Sequence, residues 1–303
     1  MSKDLLKAAL QATDILIISR DSTIRHLFEN AGFRRIKTVR QDLDEALNVM
    51  LAGQCDLVVL DDLFLEEKTL DFIQEVRAGD HGVNICLPVV ILISDPSEEL
   101  ARNAVGVGAD DVVLKPLSVN DVNKRMTALL TRELLYVVTE NYIGPNRRSP
   151  ERTDPKKDNL VSIPNTMRMK AEGYRETEIQ IAELMSEANR TIHNISAALD
   201  GEVIQKLINE AIANPKEFQT ILKKIHPLAA AFAQKVEQTD FSHIGDLCNL
   251  LMDIISEMEG PSDSKHTEIL ALVSQALQLS FQDDVQSKAA AAEIIALLKK
   301  DRN

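Results

Sequence analysis

Asp56-Leu57-Val58-Val59-Leu60-Asp61-Asp62-Leu63-Phe64 is the stretch that decides how the first half of the chain is read. An apolar run of Leu and Val, rich in β-branched residues, stops abruptly at two carboxylates. A short run of this kind reads as a parallel strand buried on both faces. In a doubly wound sheet the ligand crevice lies outside the carboxyl ends of the strands, so Asp61 and Asp62 are expected at its lip. Two further runs stop in a comparable way. Leu87-Pro88-Val89-Val90-Ile91-Leu92-Ile93-Ser94 ends in a hydroxyl, and Asp111-Val112-Val113-Leu114-Lys115-Pro116 ends in an ammonium followed by proline. A carboxylate can accept a phosphoryl group, and a neighbouring hydroxyl and ammonium can bind its oxygens.

This three-point pattern resembles the response-regulator receiver domain. The Gly108-Ala109-Asp110-Asp111 run before the fifth strand and the opening strand Ile15-Leu16-Ile17-Ile18 match as well, and the resemblance covers residues 12 to 130. It implies a five-stranded parallel sheet with helices on both faces, Asp61 at the phosphoacceptor position, and Ser94 and Lys115 as the phosphate contacts. It also implies a magnesium ion held by an acidic pair directly after the first strand. Here Ser19 and Arg20 stand at those two positions, and Asp21 falls one place late. Magnesium requires oxygen ligands in near-octahedral geometry, and an arginine supplies none. No cofactor is therefore assigned; if magnesium bound, Asp21 and Asp61 would be its carboxylates. Arg20 is expected to reach the Asp61–Asp62 strand end and replace the charge of the metal. Val112 stands where the family often has a switch aromatic.

The strand and helix alternation is legible in order. Asp21-Ser22-Thr23 caps a helix that Gly32 ends, Arg34 to Val39 is a polar edge strand, and Asp42 to Leu51 is a second helix. A third helix spans Leu70 to Ala78, a fourth Ser97 to Val105, and Ser118 caps the fifth. From Asp121 the apolar residues Val122, Met126, Leu129, Leu130, Leu134, Val137 and Val138 keep helical spacing to Tyr142. The fifth helix is thus expected to be extended, either as a rigid stalk or as the seam of a homodimer. Residues 143–172 read as a charged, proline-containing linker. Inside it Arg147, Arg148 and Arg152 resemble the arginine motif with which PilZ-type domains grip cyclic di-GMP, although no further part of that motif follows.

Residues 173–303 read as helix throughout: Glu178 to Leu199 stopped by Gly201, Glu202 to Ala213, Lys216 to Gln238 interrupted at Pro227, Asp240 to Glu259, Asp263 to Leu279 and Asp283 to Lys300. This predicts an all-α interaction domain. His193, in Thr191-Ile192-His193-Asn194-Ile195, is similar to the phosphoacceptor helix of histidine kinases, but Asn194 replaces the usual acid and no nucleotide-binding domain follows. His226, His243 and His266 have no metal-ligand spacing.

Composition sets the outer limits. The 303 residues suffice for two cores, and the net charge of −13 disfavours a general nucleic-acid surface. Cys55, Cys86 and Cys248 are scattered, as in reduced thiols of a cytoplasmic protein, and no apolar run could span a bilayer. The expected molecule has a receiver-like domain at 1–142, a linker at 143–172 and a helical domain at 173–303. Three functions fit it: a non-enzymatic signalling adaptor with a protein partner, a phosphotransfer protein using Asp61 and His193, or a cyclic di-nucleotide sensor. DNA and membranes are not expected partners.

Overall fold

The computed structural model describes residues 3–53, 55–65, 68–79, 82–95, 98–148, 159–172, 178–237, 239–241, 243–258, 263–282 and 284–300. The chain divides into two compact units, 1–189 and 190–303. In the first, β1 (Asp14–Ile18), β2 (Arg35–Val39), β3 (Leu57–Asp61), β4 (Val89–Ile93) and β5 (Asp111–Leu114) form a parallel sheet in the order β2-β1-β3-β4-β5. Side chains alternate across a strand, so each apolar run feeds two cores. Ile15, Ile17, Leu57, Val59, Val90 and Leu92 pack on one face with Phe28 of α2 (Ser22–Ala31) and Met126 of α7 (Val119–Thr131). Leu16, Ile18, Val58, Leu60, Val89 and Ile91 pack on the other with α3 (Leu43–Leu51), α5 (Thr69–Ala78) and α6 (Glu98–Gly106). Burial on both faces explains why these strands lack polar alternation. The segment before β1 is a helix, α1 (Lys3–Ala12), whose Ala9 and Leu10 are buried.

The structure corrects the reading of residues 131–172. Helix α7 ends at Thr131, and no extension continues it. Leu134–Thr139 is instead β6, the centre of a three-stranded antiparallel sheet with β7 (Tyr142–Pro145) and β8 (Leu160–Ile163). Leu134, Tyr136 and Val138 are buried while Leu135 and Val137 are only half-buried, a period of two. The exposed apolar seam that motivated a helix-mediated homodimer is thus absent, because its residues are spent on a sheet. The stretch expected as a linker carries β7, β8 and α8 (Thr166–Ala171); residues 149–158, with Arg152, lie outside the described residues.

This second sheet is fastened to the amino-terminal rim of the parallel sheet. Arg77, 2% exposed, donates to the carbonyls of Gly108 (2.8 Å), Ile85 (2.6 Å) and Leu87 (2.8 Å), and pairs with Asp110 at 2.6 Å. Its guanidinium lies over the ring of Tyr136 in β6, whose hydroxyl contacts both Asp110 oxygens at 3.2 Å. Burial opposes the Arg77 charge, but Tyr136 and Asp110 outweigh it and raise the pKa above its ordinary value. At the same rim Lys170 of α8 bridges Asp14 (2.9 Å) and Asp56 (2.6 Å). Backbone contact is close as well: a Cβ on Gly144 would lie 2.8 Å from Gly108 Cα.

The second unit is helical. Five helices supply its described part, because the first two expected helices are one: α9 (Glu178–Ala213) runs straight through Gly201 and gives its first residues to the first unit. Gly201 is not a stop; a Cβ there would lie 2.3 Å from Phe281 Cε2, so the residue admits an aromatic ring against the helix backbone. Helix α10 (Phe218–Val236) likewise continues through Pro227. With α11 (Ile244–Glu257), α12 (Ser264–Ser280) and α13 (Val285–Lys300) they enclose a core that includes Ile208, Phe218, Ile225, Phe232, Leu251 and Leu277. Among the described residues, no helix is long and apolar enough to cross a membrane.

Candidate functional site

Four strand ends converge at the carboxyl rim of the parallel sheet. Ser19 follows β1, Asp61 is the last residue of β3 and Asp62 opens the short helix α4 (Asp62–Leu65). Ser94 follows β4 and Lys115 follows β5. Parallel pairing sets these residues side by side without further contrivance: Lys115 N–H still bonds Ile93 O at 2.8 Å, and Ser19 N–H bonds Val39 O at 3.1 Å.

Asp61 is 3% exposed and both of its carboxylate oxygens have donors. Lys115 Nζ lies 2.5 Å from Oδ1, and the Ser19 hydroxyl donates to Oδ2 at 2.6 Å. The Leu63 N–H adds a longer bond to Oδ1 at 3.3 Å. Asp62 is engaged as fully. Its Oδ2 accepts the Ser94 N–H at 2.8 Å, and its Oδ1 accepts the Ser94 hydroxyl at 3.0 Å with Lys115 Nζ at 3.2 Å. Burial works against the Asp62 charge, but the Ser94 N–H, Lys115 and the Ser94 hydroxyl together hold its carboxyl below the ordinary carboxylate range. Burial likewise works against the Lys115 charge, and Asp61 and Asp62 more than offset it, raising the ammonium pKa.

The structure therefore brings together the three residues that the sequence singled out, with a different division of labour. Lys115 contacts Asp61 as expected, whereas Ser94 is bound to Asp62. The Asp61-Asp62 doublet was visible in the sequence, but nothing local said which carboxylate would take the hydroxyl. Arg20 overturns its expectation. Its guanidinium lies 5.5 Å from the centroid of the Phe64 ring, the side chain is exposed, and the cation at Asp61 is Lys115. Ser19, expected only as a missing ligand, is a donor to the acceptor carboxylate.

Magnesium, which the receiver resemblance implies, does not fit these residues. Asp21 is occupied as the cap of α2, accepting from the Thr23 N–H and hydroxyl, both at 2.8 Å. The Thr23 N–H above all lowers its pKa. Ser19 presents a hydroxyl that donates to Asp61, and Arg20 turns to Phe64. Among the described residues, no group of three or more His, Cys, Asp or Glu side chains is placed to hold a metal ion.

The other sequence candidates lie elsewhere. Arg147 donates through Nη2 to Ala109 O, which spends its guanidinium on the fold, and the Arg148 N–H bonds the Asn146 side chain. His193 is half-buried on α9, where burial and then Lys235 depress its pKa. His266 stacks on Phe218 at 6.3 Å.

No protein-family model matches the chain. Among curated proteins it is similar to the phosphate regulon transcriptional regulatory protein PhoB of Escherichia coli (strain K12), 28% identical over 125 residues. That match covers 40% of this chain and 53% of PhoB. It is also similar to the two-component response regulator PhoP of Pseudomonas aeruginosa, 27% identical over 133 residues, which is 43% of this chain and 57% of that protein. The N-terminal part of the chain is a response-regulator receiver domain. The chain spans about half the length of the curated relatives it matches. Among solved structures the chain is similar to the chemotaxis response regulator CheY4 of Vibrio cholerae, at 22% identity and TM-score 0.34 over 38% of this chain and 97% of that one. HP1043, an orphan response regulator of H. pylori, gives 22% and 0.33 over 39% and 96%. The helical unit lies outside the matched region.

Proposed function

We propose that the protein is a signalling adaptor whose receiver domain works without phosphorylation and whose helical unit binds a protein partner. It has no enzymatic output of its own. The observation that carries this reading is the closed acceptor: both oxygens of Asp61 are held, by Lys115 at 2.5 Å and by Ser19 at 2.6 Å. A nucleophilic carboxylate must present a lone pair to phosphorus, and a metal must neutralise the incoming charge. Here each oxygen already has a fixed donor, and the residues at the metal position are a serine that donates to Asp61 and an arginine turned to Phe64. PhoB is named a transcriptional regulatory protein, but this chain matches only 53% of it. The net charge of −13 supports a protein partner for the helical unit over duplex DNA.

Incubation with acetyl phosphate and magnesium, followed by intact mass, tests the reading. The expected result is no phosphoryl adduct on wild type. A stable adduct that disappears in Asp61→Asn would show that the site transfers phosphoryl groups and would overturn the proposal. Salt-sensitive, tight binding of duplex DNA by the full chain would overturn its second half.

A further inference from the structure

The unusual member of the strand-end cluster is Asp62. Its two oxygens clasp three donors from two different strand ends: the Ser94 N–H, the Ser94 hydroxyl and the Lys115 ammonium. An amide, a hydroxyl and an ammonium converging on one point are the donor set that binds two oxygens of a tetrahedral oxyanion. The carboxylate that fills this set is buried, 8% exposed, although the Ser94 residue it binds is at the surface. A buried carboxylate is retained only where its hydrogen bonds and cation outweigh desolvation, and here they do.

We propose that Asp62 is a resident anion occupying an oxyanion site at the rim of the sheet, so that Ser94 and Lys115 are permanently held in the arrangement an external phosphate would impose. This inference rests on the reading of the domain as one that works without phosphorylation, and it supplies the reason: the donors are already taken. Asp61 cannot fill the same role, because its own oxygens face Lys115, Ser19 and Leu63 and do not bond Ser94 among the described contacts. Removal of the Asp62 carboxylate leaves Lys115 to balance Asp61 and frees the Ser94 N–H and hydroxyl for a small anion. The site is thus cryptic in the native chain and is exposed by a single substitution.

Amide NMR of the full chain, with inorganic phosphate as the probe and with neither magnesium nor a phosphodonor, tests this. In Asp62→Ala the Ser94 amide is expected to lose its low-field shift and to lose exchange protection roughly tenfold, the worth of one charge-assisted hydrogen bond. Phosphate should then return the Ser94 resonance towards its wild-type position in a saturable way, while leaving wild type unmoved. Asp62→Asn keeps the volume and serves if the alanine variant does not fold; its response is in the same direction and smaller. Lys115→Met added to either variant should abolish the phosphate response. A Ser94 amide that ignores the loss of Asp62, a variant that ignores phosphate, or a wild type that responds as the variant does would each overturn the inference. No phosphoryl group can be transferred under these conditions, so the outcome is independent of whether acetyl phosphate labels Asp61.

Discussion

Replacing Lys115 with methionine keeps the length and apolar stem of the side chain and removes the cation shared by two adjacent carboxylates. The structure sets the size of the effect. Lys115 Nζ lies 2.5 Å from Asp61 and 3.2 Å from Asp62, whose side chains are 4% and 10% exposed. Removing one partner of a buried pair costs about 3–5 kcal/mol, because the other charge is left uncompensated. Two features reduce that figure here: the Lys115 side chain is 19% exposed, and Ser19 and Ser94 still donate to the orphaned carboxylates. A loss of about 2–4 kcal/mol is expected from these opposing contributions. Native-state hydrogen exchange of the β3 and β5 amides reads the first unit separately from the helical one, which a global melt does not. Those amides should exchange roughly 30- to 1,000-fold faster in the variant. Lys115→Met combined with Asp61→Asn should recover a large part of the loss. A change of less than about threefold at neutral pH would refute the view that Lys115 neutralises a buried doublet.

Arg77→Met should cost about 3–5 kcal/mol, since it takes the buried cation from Asp110, which keeps the Tyr136 hydroxyl and the Val89 N–H, and leaves three buried carbonyls without this donor; pulse proteolysis in urea measures it, and a loss below about 1 kcal/mol would show that the second sheet does not depend on this network. Gly201→Ala should destabilise the helical unit although alanine is the better helix former by about 1 kcal/mol, because the new methyl meets the Phe281 ring at 2.3 Å; a raised thermal midpoint would contradict this. The Asp62 carboxyl is depressed below its ordinary value of 3.8. Its contribution to stability is therefore present above that value and is lost as pH falls through the lower, folded-state value. Acid titration followed by circular dichroism should show the limb below pH 3.8 flattened in Asp62→Asn, and an unchanged limb would exclude the contribution.

The parallel sheet was legible because its determinants are local and repeated. The strands other than β2 are short apolar runs, the helices carry apolar stripes with side-chain caps on α2, α3 and α7, and the polar residue that ends each apolar run marks the rim. Asp61, Ser94 and Lys115 could be chosen for that reason alone. Residues 134–145 were not legible. Leu134, Val137 and Val138 satisfy helical spacing, and Leu134, Tyr136 and Val138 satisfy strand spacing, so six residues cannot decide between them. Pairing with residues 142–145 and 160–163, and a buried Asp110 that takes the Tyr136 hydroxyl, favoured the strand.

What the sequence determined by itself is the five-stranded parallel sheet of the first unit and the presence of Asp61, Ser94 and Lys115 at its strand ends, since both follow from periodicity and from where apolar runs stop. What only the tertiary structure decided is which groups touch. Ser94 bonds Asp62 rather than Asp61, Arg20 lies on Phe64 rather than on a carboxylate, and Gly201 opens a helix surface to Phe281 rather than ending the helix. Each of these choices lies between neighbours one residue apart or between partners distant in sequence. Such choices are settled by side-chain direction and by which buried group would otherwise lack a partner, and neither is written in a local pattern.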